Sequence, residues 1–219
     1  MIGTIGSLVQ ETSNRLRWLL AVSLYTTACV STSMLLGALL GTVGHIARRT
    51  VCGGGVCGSI SMVGEGLVGL LAVAYALSDV GAFRLPRPTL RYAVPATWWR
   101  AWGPYGAAIS YGAALGVGVM TYIAFGSFYV LCAWCFVRGD TAYGTLLLGT
   151  YGAARALVIF PASWGVYRRR ASVMTISAWL ASPLFDQKRA QRVVAVALSL
   201  FGVLVVVSAL GKVLTTLPH

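Results

Sequence analysis

The chain has 219 residues, 58% of them hydrophobic and only 10% charged, with 17 basic side chains against 5 acidic ones. Too few polar residues remain to cover a soluble globule, and the length fits one compact domain without a separate soluble module. The net charge of +12 carries no nucleic-acid signal, because no basic motif is interleaved with aromatics; basic loops held against anionic lipid account for it better.

Residues 1–14 have no positive segment ahead of an apolar core, so they do not read as a cleavable signal peptide. Ile2, Ile5, Leu8 and Val9 fit a short amphipathic helix on a membrane surface. Five apolar runs follow, at 18–44, 59–77, 105–137, 141–164 and 193–211. A hydrocarbon core about 30 Å thick takes about 20 apolar residues as helix. Lipid admits only helices and closed barrels, and these runs lack strand alternation. The expected fold class is therefore all-α, a polytopic integral membrane helical bundle of five spans forming one transmembrane domain, with the first span as an uncleaved anchor.

Two segments strain this scheme. The run 105–137 is too long for an upright crossing, so it tilts, breaks near Gly126 or extends beyond the bilayer. Segment 173–185 is apolar but short, with basic residues on both sides. It fits an interfacial helix on the cytoplasmic face, with a re-entrant hairpin as the alternative. A full crossing there makes six spans and returns the C-terminus to the inside.

Alternate loops lie on opposite faces. One face holds Arg15, Arg17, Arg84, Arg87, Arg91, Arg100, Arg168, Arg169, Arg170, Lys188, Arg189 and Arg192; the other holds Arg48, Arg49, Arg138 and Lys212. Positive charge stays in the cytoplasm, which predicts an internal N-terminus and an external C-terminus. Trp98, Trp99, Trp102 and Tyr105 fall where the third span meets the inner interface. Gly112, Gly116 and Gly118 in the third span, with Gly144, Gly149 and Gly152 in the fourth, are spaced for close backbone approach between these two spans or with a partner subunit.

Glu65, Asp79 and Arg155 are ionisable groups in or near spans, where an unpaired charge is costly. Depth matches Arg155 with Asp79 better than with Glu65, as an ion pair that fixes two helices. A polar track for an ion or proton, with Glu65 at its outer mouth, is the functional alternative.

Of five cysteines, Cys29 sits mid-span as a small packing residue. Cys52 and Cys57 flank a glycine-rich loop, and Cys132 and Cys135 form Cys-Ala-Trp-Cys at the far end of the third span. The charge argument puts both pairs outside, where disulfides or a redox relay form readily. Their spacing and sidedness resemble the cysteine pairs of the vitamin K epoxide reductase family, without a match along the spans. A soft-metal site at His45, Cys52 and Cys57 is a further option, although neither pair has zinc-finger spacing.

Tyr75-Ala-Leu-Ser-Asp79, Arg84-Leu-Pro-Arg-Pro88, Val94-Pro-Ala-Thr-Trp-Trp99, Gly103-Pro-Tyr-Gly106 and Tyr151-Gly-Ala-Ala-Arg155 lie between Leu70 and Phe160. This stretch resembles the cytochrome c biogenesis and disulfide-reductant transmembrane family of the DsbD–CcdA type. The resemblance implies a bacterial inner-membrane protein that moves reducing equivalents outward. Where that family carries a cysteine with flanking prolines, this chain reads Gly116-Val-Gly-Val-Met-Thr-Tyr-Ile-Ala-Phe125, with neither residue type. No catalytic residue carries over from the family.

Three functions follow as expectations. The first is thiol–disulfide exchange on the external face, with Cys132 and Cys135 meeting a partner and Cys52 and Cys57 relaying. The second is a non-catalytic accessory or assembly subunit of a larger membrane complex. The third is a small metal or ion transporter. The partners implied are the lipid bilayer and a membrane or extracytoplasmic protein; no cofactor is implied, since no phosphate-binding loop, histidine cluster or Ser/His/Asp set is present.

Overall fold

A computed structural model describes residues 15–51, 57–82, 85, 97–118, 126–157 and 187–216. The described residues are all-α. In chain order the helices are α1 (Arg15–Val51), α2 (Cys57–Val80), α3 (Thr97–Val117), α4 (Ser127–Arg138), α5 (Thr141–Leu157) and α6 (Gln187–Thr216). Within α1, Leu19–Val51 is long and apolar enough to cross a membrane. Shorter apolar helical stretches occur at Ser127–Arg138 and Val194–Ser208. The expected interfacial helix at 173–185 and the end of the run 141–164 lie outside the described residues.

The run 105–137 is not one helix. Helix α3 stops at Val117, where Gly118 takes a left-handed φ of 73° and donates its N–H to the Leu115 carbonyl at 3.2 Å. Helix α4 begins after Gly126. A glycine just past a helix end accepts this backbone conformation without a Cβ penalty. Within α3, Gly103 (φ 64°, ψ −178°) separates a first turn from the longer remainder. The Gly103-Pro104 dipeptide explains it, since proline cannot donate a hydrogen bond to the preceding turn.

The chain divides into two compact units. The first draws on the start of α1, on α3 and on the end of α5; the second draws on the rest of α1 and α5 together with α2, α4 and α6.

In the first unit, the buried line of α1 runs Ala21, Tyr25, Cys29, Ser33 at four-residue steps, as one face of a helix requires. Tyr25 and Cys29 pack with Ala108, Leu115 and Ala156, and Tyr111 lies against them. Gly112 of α3 fits against the Tyr25 carbonyl, and Gly116 against the Cys29 carbonyl and Thr32. From α5, Gly149 meets Met34 and Gly152 meets Ser33. The glycines of the third and fourth runs therefore meet α1, where the sequence pointed to contact with one another or with a partner subunit.

In the second unit, Gly37 of α1 and Gly144 of α5 lie carbonyl to Cα, each leaving no room for a side chain on the other. Gly41 meets Asp140 and Thr141, and Gly44 meets the Phe136 carbonyl. Helices α2 and α6 cross at another glycine pair, Gly69 and Gly202. The core here is Val68, Ala72, Tyr75, Ala76, Val130, Trp134, Ala195, Leu198 and Val205. Phe201 meets the edge of Trp134 at 5.6 Å, and Tyr75 stacks on Tyr129 at 5.7 Å.

Candidate functional site

The chemistry-bearing residues gather at helix ends, and each end has a local cause. Helix α2 closes on Gly81 (φ 93°). The Gly81 N–H donates to Ser78 O at 3.1 Å and the Ala82 N–H to Leu77 O at 3.0 Å, the paired bonds of a Schellman cap. The Ser78 hydroxyl oxygen accepts from the Leu85 N–H at 3.3 Å.

Asp79 sits in this last turn, half-buried, and its Oδ2 accepts from the Gly126 N–H at 3.1 Å. That N–H belongs to the residue that opens α4. A carboxylate there satisfies an orphan donor and complements the positive end of the helix dipole. Gly126 is required at this point because Tyr75 lies over it, where a Cβ would meet the ring at 2.6 Å. Asp79 thus joins the end of α2 to the start of α4 inside the second unit.

The mirror arrangement occurs in the first unit, at the carbonyl end of α3. The Ser33 hydroxyl, 2% exposed, donates to Gly116 O at 3.0 Å. Arg155 Nη1 reaches Leu115 O at 3.5 Å, the long end of hydrogen bonding. A cation is favourable where unsatisfied carbonyls gather. The Cys29 thiol donates to Gly152 O at 3.7 Å. Beside them the Tyr25 hydroxyl is buried with no hydrogen-bond partner among the described residues.

Asp79 belongs to the second unit and Arg155 to the first. The hydrogen bonds described here take each to a helix end. Glu65 lies half-buried on α2, next to Gly64, against which Val137 of α4 packs.

Cys132 and Cys135 occupy the same face of α4, one turn apart, as free thiols. Cys135 is fully buried, and its Cβ faces Gly144 of α5. Its carbonyl accepts the Gly139 N–H at 3.1 Å, so the pair lies at the closing end of its helix. Exchange motifs place the attacking thiol at a helix N-terminus, partly exposed, where backbone N–H groups favour a thiolate. Cys52 and the Cys57 side chain lie outside the described residues. His45 is exposed on α1. Among the described residues, no group of three or more His, Cys, Asp or Glu is placed to hold a metal ion.

Ser33 and Tyr25 escaped the sequence reading. Serine and threonine in an apolar helix commonly bond back to their own turn, as Thr26 and Thr32 do here. Nothing in the string separates Ser33 from them. A signal for the end of α3 was present in Gly116-Val-Gly118, which reads equally as a packing motif.

No family model matches the chain, and no solved structure matches it. The chain is similar to the methylamine utilization protein MauF of Paracoccus versutus, at 27% identity over 127 residues. The match takes in 58% of this chain and 44% of that protein, so it spans less than half the relative's length.

Proposed function

We propose that the chain is a multi-pass protein of a bacterial inner membrane, with its N-terminus inside, that serves as a non-catalytic accessory or assembly subunit for a membrane or extracytoplasmic partner. Five crossings follow if α3 and α4 together make the third. Support for membrane embedding comes from the inverted size pattern of the helices. The buried face of α1 carries glycine, alanine, serine and cysteine with one tyrosine, while large aliphatic side chains of α1 and α6 point outward, Leu39 at 61% and Leu204 at 70% exposure. Small residues inside and bulky apolar residues outside suit packing in lipid.

The observation that carries the accessory role is the use made of the interior polar groups. Ser33, Arg155, Cys29, Asp79 and Ser78 each contact a backbone group at a helix end or crossing. These contacts serve architecture. The similarity to a methylamine utilization protein fits a bacterial setting without supplying a substrate. The DsbD–CcdA resemblance fits a shared architecture in which the thiols have become packing residues.

A cysteine-free chain tests this. All five thiols are replaced by alanine or serine, and the variant stands in for the wild type in a bacterial host that encodes it. Native gels of membranes in mild detergent are expected to place both forms in the same larger complex. Two monomers overturn the accessory role. A complex lost only when Cys132 and Cys135 are removed turns the reading to thiol exchange on the outer face.

A further inference from the structure

We draw no further inference here: the strongest candidate, the exposed face of α1 in the first unit on which Ser23, Thr27 and Ser31 follow one another at four-residue steps, is a stripe of small residues, and nothing in the structure shows what covers it.

Discussion

Gly66 and Gly69 stand three residues apart on α2, and alanine at the two positions should act in opposite directions. A Cβ at Gly66 meets nothing within 4 Å. At Gly69 it would lie 2.7 Å from Val206 Cγ2 and 2.9 Å from the Gly202 carbonyl oxygen of α6. Carbon contacts are comfortable near about 3.5 Å, so α2 and α6 must part by roughly half an ångström or more. Overpacking of this kind costs about 1–3 kcal/mol. Replacing glycine by alanine inside a helix returns about 1 kcal/mol at either site. Gly66→Ala should therefore stabilise by up to about 1 kcal/mol, and Gly69→Ala should fall from neutral to about 2 kcal/mol less stable. The difference between the variants isolates packing and amounts to about 1–3 kcal/mol, roughly 5- to 150-fold in the unfolding equilibrium. Equilibrium unfolding in mixed micelles of mild detergent and dodecyl sulfate, followed by tryptophan fluorescence, reads it directly. Two variants of equal stability would refute the glycine crossing of α2 and α6.

The helix-end contacts give three further expectations in the same assay. Ser33→Ala removes the donor on the Gly116 carbonyl and should destabilise by about 1–3 kcal/mol; no change would mean that another group closes α3. Tyr25→Phe deletes a buried hydroxyl that has no partner among the described residues and should be neutral or stabilising by about 1 kcal/mol, so a clear loss would reveal a hydrogen bond at that atom. Asp79→Ala should cost about 0.5–2 kcal/mol through the start of α4, and Asp79→Asn, which keeps an acceptor, about 0.3–1 kcal/mol. Equal losses for the two would assign the effect to charge alone.

Much of the helical layout was readable because apolar length is a coarse signal that local packing does not disturb. The runs 18–44, 59–77 and 193–211 fall within α1, α2 and α6. The end of α3 was harder to place. Hydropathy does not report backbone direction, so the signal near Gly126 marked the start of α4 while the end of α3 at Val117 went unassigned. Glycine spacing announced close approach but not the partner. Both glycine-bearing helices chose α1, because its buried line (Cys29, Ser33, Gly37 and Gly41) has small side chains of its own. The charges were recognised as costly. Sequence reasoning looks for an opposite charge and does not show that Asp79 also meets a helix amide and Arg155 a helix carbonyl.

Helix α4 has 12 residues, a rise of about 18 Å. On the membrane reading that falls well short of the hydrocarbon. The carboxylate that receives the Gly126 amide is made 47 residues earlier, and the hydroxyl that closes α3 precedes its acceptor by 83. During synthesis the early helices therefore wait in place with the groups their successors need. Moving α1 and α2 to the end of the gene would have α3 and α4 made before Ser33 and Asp79, which contact their ends.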